Sequence, residues 1–157
     1  MSDATNSNMT IRTRMMMDHE DLSADLDELI RTFELGDWAL ARTAYNAVES
    51  RLKNHLAAEE ELLFPELARV SPHEVAELLD EHRALRKRLE EVGIGVDVHQ
   101  ANLGAIRELA QDVRRHAARE DALLYRWADR ELDQLATLSR FENLFVHGRS
   151  PAPPAGA

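Results

Sequence analysis

The fold is decided by a segment that occurs twice in the chain. Residues 55–64 read HLAAEEELLF and residues 116–125 read HAAREDALLY, so both match H-x-x-x-E-[ED]-x-L-L-[FY]. A second pair, DHEDL at residues 18–22 and EHRAL at residues 81–85, shares the pattern [DE]-H-x-x-L. Apolar residues around all four segments recur every three or four positions, which is the period of a helix with one buried face. The chain is therefore predicted to use one helical hairpin twice.

The residues between these segments predict where helices begin and end. Gly36 ends the first helix and Asp37 caps the second, which bends at Pro65. A Ser71-Pro72 cap begins the third helix, and this helix ends at residues 93–95 (GIG). The predicted helices are residues 18–35, 38–70, 72–91 and 99–135, followed by a short amphipathic helix. This pattern predicts an all-α fold, an up-down-up-down four-helix bundle with a short C-terminal helix.

Composition sets the domain limits and excludes several classes of partner. Residues 1–14 are predicted to form a disordered N-terminal arm, residues 15–147 the bundle, and residues 148–157 a disordered Pro/Ala tail. The 29 acidic residues outnumber the 19 basic residues, so nucleic acid and anionic membranes are not expected partners. The chain has no cysteine, which excludes thiolate metal sites and iron–sulfur clusters. The polar start lacks a signal-peptide pattern, so a cytoplasmic location is expected.

Six polar residues occupy positions that the apolar stripes assign to the core: His19, His55, Glu59, His82, His116 and Glu120. Residues equidistant from the turn of a helical hairpin lie at the same height. Position 37, midway between His19 and His55, is a predicted turn, and so is position 99, midway between His82 and His116. The six residues should therefore meet in one layer of the bundle.

A buried layer of this composition requires a positive partner. Burying unpaired carboxylates and imidazoles costs several kcal/mol per ion and about 1–3 kcal/mol per neutral group, which rivals the stability of a whole domain. A bound metal removes this cost, and histidine with carboxylate suits iron, with manganese or zinc as substitutes. Four histidines and two carboxylates exceed what one ion needs, so a pair of ions is favoured. The i, i+4 spacing of H-x-x-x-E lets the histidine bind one ion while the glutamate reaches the other.

These motifs, in this order, resemble the hemerythrin-like family of cation-binding domains over roughly residues 15–136. The resemblance implies a non-haem di-iron site with an oxo or hydroxo bridge. It assigns His19 and His55 to one iron, His82 and His116 to the other, and Glu59 and Glu120 to both as bridges. It also implies binding of, or reaction with, O2, peroxide or NO, so the protein is a candidate di-iron oxidoreductase.

Two departures from the family pattern bear on this function. The family's oxygen carriers have a fifth histidine where this chain has Arg86, so both irons keep an open position and peroxide, NO or redox chemistry is favoured over oxygen carriage. The last helix offers Asp121 as well as Glu120, and Asp121 stays open as the alternative bridge.

Other interpretations and residues complete the prediction. An iron-handling or redox-sensing module without turnover is the main alternative function, and a metal-free interaction bundle is a third. The oligomeric state is left open.

Glu60 and Asp121 are candidates to hydrogen-bond the metal ligands, whereas His73 and Glu77 are expected to form a surface pair. Tyr125, nine residues after His116, is expected on the opposite face of a continuous helix.

Overall fold

A computed structural model describes residues 9–147, and these residues contain seven α-helices and no strand. The helices are α1 (Ile11–Glu34), α2 (Trp38–Leu62), α3 (Phe64–Ala68), α4 (Pro72–Asp97), α5 (Leu103–Ala122), α6 (Leu124–Glu131) and α7 (Gln134–His147). The all-α prediction is confirmed. Residues 1–8 and 148–157, and with them most of the predicted arm and the whole predicted tail, lie outside the described residues.

The four long helices form a bundle around a common core. Helix α1 packs against α2 and α5, and α4 packs against the same two helices from the other side. The short helices α3 and α6 each continue a long helix after a break, and α7 lies against α1 and α2. Among the described residues, no helix is both long enough and apolar enough to cross a bilayer.

Two apolar clusters lie above and below the middle of the bundle. One contains leucines and valines of all four long helices, including Leu26, Leu52, Leu89 and Leu109. The other surrounds Tyr125 at the end formed by α3, α6 and α7. The polar positions predicted for the core fall between these clusters, so the apolar packing on both sides keeps them away from water.

Helix α1 begins earlier than the sequence analysis placed it. The helix starts at Ile11, where the side chain of Thr10 accepts a hydrogen bond from the backbone of Thr13, rather than near Asp18. Ile11 and Met15 are fully buried in the second apolar cluster. Residues 11–14 therefore belong to the bundle and not to a disordered arm, because this cluster offers Ile11 a buried position.

The predicted end of the third helix is wrong. Helix α4 continues through Gly93 and Gly95 to Asp97, and the chain turns at His99, whose φ is 53°. A Cβ atom on Gly93 would lie 2.2 Å from the hydroxyl of Tyr45, and one on Gly95 would lie 2.8 Å from the Cα of Ala101. Gly93 therefore allows the close approach of Tyr45, and Gly95 allows the close approach of the turn after α4. These contacts outweigh the low helix propensity of glycine.

The two copies of the repeat break their helices within one residue of equivalent places. Helix α2 ends at Leu62 and α3 begins at Phe64, just before the predicted bend at Pro65. Helix α5 ends at Ala122 and α6 begins at Leu124, although no proline lies there. The prediction of one continuous helix to residue 135 is therefore wrong. The turn between α1 and α2 agrees with the prediction, since Gly36 has a φ of 70° and Asp37 caps α2.

Candidate metal centre

The structure brings all six predicted core residues together in one layer. The six side chains come from the four long helices: His19 from α1, His55 and Glu59 from α2, His82 from α4, and His116 and Glu120 from α5. Glu59, Glu120 and His82 are 0% exposed, and His55 and His116 are also buried. The layer is thus closed to bulk water on nearly all sides.

The six residues form two groups that share both carboxylates. One group is His19, His55, Glu59 and Glu120, and the other is His82, His116, Glu59 and Glu120. In each group the candidate donor atoms all lie within 4.8 Å of one another. This arrangement offers two neighbouring positions for cations, with Glu59 and Glu120 able to contact both.

Four of the atoms that face the centre lack hydrogen bonds even though they are close together. His82 Nε2 lies 3.3 Å from Glu59 Oε2, and His116 Nε2 lies 3.1 Å from Glu120 Oε1. Among the described residues, neither Nε2 atom has a hydrogen-bond partner, and Oε2 of each glutamate is likewise unpartnered. Buried polar atoms are nearly always satisfied, so these converging orphan atoms fit a bound cation.

A carboxylate faces the outer nitrogen of every histidine in the layer. Glu60 Oε1 lies 2.8 Å from His82 Nδ1, and Glu81 Oε2 lies 2.5 Å from His116 Nδ1. At longer distances, Asp121 faces His19 Nδ1 at 3.4 Å and Asp18 faces His55 Nδ1 at 3.6 Å. The carboxylates hydrogen-bonded to His82 and His116 keep the proton on Nδ1, so the Nε2 lone pairs of these two residues point to the centre, as in metal-bound histidines.

Arginines hold three of these outer carboxylates in place. Arg86 forms two hydrogen bonds to Glu60, at 2.6 and 3.1 Å. Arg119 bonds Glu81, and Arg14 bonds Asp18. Arg86 occupies the position where the family's oxygen carriers have a fifth histidine, and here it serves to orient His82 through Glu60. These arginine–carboxylate pairs therefore help to fix the imidazole rings even without a bound metal.

Replacing Glu60 by glutamine should weaken metal binding without breaking the fold. The amide can present its NH2 group to His82 Nδ1 and loses the charge that holds Arg86, so the imidazole is oriented less firmly. Loss of such a partner typically lowers metal affinity by about 10- to 100-fold. Competition for Fe²⁺ with a chelator of known affinity would measure the change. Glu61→Gln, at an exposed neighbouring residue of the same helix, is the control, and equal affinities for the two variants would contradict the orienting role of Glu60.

The electrostatics of the layer favour positive charge. Burial lowers the pKa of the His82 imidazole, but the neighbouring carboxylates of Glu120 and Glu59 outweigh burial and raise this pKa to about 9. Burial raises the pKa of Glu120, but the hydrogen-bonding histidines around it bring the pKa well below the usual range of a glutamate. Two buried carboxylates therefore attract cations to the centre, whether these are protons or metal ions.

The sequence interpretation of Tyr125 is wrong, since its side chain lies in the centre. Its hydroxyl lies 3.1 Å from His19 Nε2 and 3.2 Å from His55 Nε2, and it donates a hydrogen bond to Glu59 Oε1. Burial and the charges of Glu120 and Glu59 raise the pKa of this phenol well above its usual range. The break at Leu123 changes the helical phase, so counting from His116 along one helix misplaced the residue. The sequence did contain a signal for this position: in the repeat, Tyr125 aligns with Phe64, which directly precedes the bend predicted at Pro65.

The structure also separates the two acidic candidates on α5. Glu120 is fully buried between the two groups of donors, whereas Asp121 lies outside them and faces His19 Nδ1. Asp121 thus lies on the outer side of a candidate ligand, His19, and Glu120 is the bridging candidate. The pair of His73 and Glu77 lies on the surface as expected, with the His73 side chain 87% exposed.

An all-helical bundle with four histidines and two carboxylates buried in one layer defines a class of helical metal-binding domain. The family model Hemerythrin HHE cation binding domain matches residues 10–128, and the chain belongs to this family. No curated protein and no solved structure matches the chain. The resemblance drawn from the sequence motifs is confirmed, and metal-cation binding is the function that the family supports.

Proposed function

We propose that the protein is a non-haem di-iron protein that binds or reacts with O2, peroxide or NO. The observation that carries the proposal is the sharing of Glu59 and Glu120 by two groups of donors. A single ion would leave two of the four histidines unused, whereas two ions use the unpartnered Nε2 atoms of His82 and His116 and the unpartnered Oε2 atoms of both glutamates. In sites with two metals the ions are about 3.5–4 Å apart, a separation that shared carboxylates span.

Each residue of the layer has a defined part in this proposal. His19 and His55 would hold one iron, His82 and His116 would hold the other, and Glu59 and Glu120 would hold both; the proposed cofactor is an oxo- or hydroxo-bridged pair of irons. Manganese or zinc is the expected substitute, because imidazole and carboxylate accept either ion. When bound, the pair of irons supplies the electrons exchanged with the small ligand. The apolar clusters on either side exclude water, and the outer carboxylates keep the Nε2 atoms directed inward.

The arrangement of the protein around this site is part of the same proposal. The packing of α1 on α2 and α5, and of α4 on α2 and α5, supports an up-down-up-down bundle of the four long helices. The net charge of −10 supports small ligands rather than nucleic acid or a membrane surface as partners.

Metal analysis is the experiment that tests this function. Untagged protein from iron-supplemented cells should contain about two irons per chain and show near-ultraviolet absorption of an oxo-bridged pair. The reduced protein should then change its visible spectrum on exposure to O2, peroxide or NO. An unchanged visible spectrum with all three would refute reactivity, and rapid loss of iron to a chelator would favour the iron-handling module. Absence of stoichiometric metal would refute the di-iron site altogether.

A further inference from the structure

The hydroxyl of Tyr125 lies where a metal ligand would lie. Neighbouring donors on an octahedral ion are about 3 Å apart when each metal bond is about 2.1 Å. Tyr125 Oη lies at 3.1, 3.2 and 3.4 Å from His19 Nε2, His55 Nε2 and Glu120 Oε1, and it also contacts Glu59 Oε1. The two Nε2 atoms are themselves 3.0 Å apart. Five donor atoms from five side chains therefore surround one of the two cation positions, and Tyr125 Oη lies about one ligand spacing from three of the other four.

The other cation position has no such oxygen. The residue equivalent to Tyr125 in the repeat is Phe64, and its ring lies beside His82 with 5.0 Å between the ring centroids. Tyr125 stands in the matching relation to His19, at 5.4 Å between ring centroids. The pseudo-symmetric halves thus differ by one hydroxyl group, which is placed among the donors of one position and missing from the other.

A surface groove leads to the half that lacks the hydroxyl. It lies between α4 and α5, has a volume of about 440 Å³, and is lined by residues that include Leu85, His116 and Arg119. The groove borders His116, a residue of the second donor group. The groove thus reaches the outer side of His116, beside Glu81 and Arg119, in the half that lacks the hydroxyl.

We propose that Tyr125 is a fifth protein donor to the metal held by His19 and His55, and that small exogenous ligands bind the metal held by His82 and His116. This inference rests on the proposed di-metal function. Five side chains would then hold the first metal and four would hold the second, so the second would be the one that keeps an open position. This replaces the expectation from the sequence that both irons keep one.

Spectroscopy of the ferric protein tests the role of Tyr125. Tyrosine oxygen bound to Fe³⁺ absorbs visible light by charge transfer, and resonance Raman excitation in that band enhances tyrosine ring modes. The wild type should show these modes and Tyr125→Phe should lose them. The chain has only two tyrosines, so Tyr45→Phe is the matched control; Tyr45 bonds the carbonyl of Leu89 in the apolar core and should leave the band unchanged. A wild-type spectrum without tyrosine modes, which needs no variant, would overturn the assignment.

Azide binding tests which metal is open. The ferric wild type should bind one azide per chain, and Tyr125→Phe should bind a second. Phe64→Tyr places a hydroxyl beside His82 and should weaken azide binding at least tenfold while two irons remain bound. Unchanged azide binding in Phe64→Tyr with a second tyrosine band would overturn the proposal. If the wild type binds no iron, the di-iron function fails too; if it binds two and Tyr125→Phe has the same spectrum, only this inference fails.

Discussion

Replacing Glu59 by glutamine is expected to reduce the metal content from two ions per chain to one or fewer. The two carboxylate oxygens of Glu59 face different groups of donors: Oε1 lies 3.2 Å from His55 Nε2 and Oε2 lies 3.3 Å from His82 Nε2. An amide has the same shape but only one acceptor oxygen and a donor NH2 group. It therefore cannot contact two cations, and it removes one of the two buried negative charges that attract them. Elemental analysis after gel filtration measures the loss.

The neighbouring glutamate supplies the control for this prediction. Glu61→Gln removes one charge from the exposed side of the same helix and should retain the wild-type metal content. Glu120→Gln should behave like Glu59→Gln, because Glu120 also lies in both groups of donors. If Glu59→Gln kept two tightly bound ions, the shared carboxylates would not be bridges, and the assignment of two metals would lose its main support.

Removing the metal is expected to lower the unfolding temperature substantially. Without a cation, the orphan Nε2 atoms and carboxylate oxygens of the layer stay buried without partners, which is costly. At a free metal concentration a hundred times its Kd, one bound ion stabilises the folded state by about 2.7 kcal/mol, which for a chain of this size corresponds to about 5–10 °C. Thermal unfolding followed by circular dichroism, before and after chelation, measures the difference.

A surface histidine provides the comparison for metal removal. His73→Ala removes a histidine from the exposed pair with Glu77 and should leave the difference between loaded and chelated protein unchanged. Equal unfolding temperatures with and without chelator would show that no bound metal stabilises the fold. In that case a ligand substitution such as His55→Ala should leave the stability unchanged or increase it, as expected for a metal-free bundle.

Helical periodicity accounts for most of what could be predicted. The stripes around His55, Glu59, His116 and Glu120 have a spacing of three or four, and local spacing alone assigns these residues to one buried face. The heights of His19 and His82 follow from turns at Gly36 and near His99, since the rise per residue in a helix is constant. The presence of all six in one layer could therefore be predicted without coordinates.

Predictions fail where packing between helices overrides local preference. Gly93 and Gly95 predict a helix end, but both lie inside α4, where Tyr45 and Ala101 pack against them. Ile11 looks like part of a polar arm, but it is buried against the second apolar cluster. The contacts of Gly93 with Tyr45 and of Ile11 with the second apolar cluster join residues far apart in sequence, and helix propensity carries no information about them.

By itself, the sequence determined that the chain is all-helical, that its halves are related by a repeat, and that six polar residues share a buried layer. The sequence favoured Glu120 as the shared carboxylate and left Asp121 as the alternative; the tertiary structure decided between them, because Glu120 lies in both donor groups and Asp121 faces His19 Nδ1 from outside. Only the tertiary structure decided that Tyr125 enters the centre, because the break at Leu123 rotates α6 relative to α5. Periodicity is a property of a continuous helix, and an interruption of the helix depends on the packing around it.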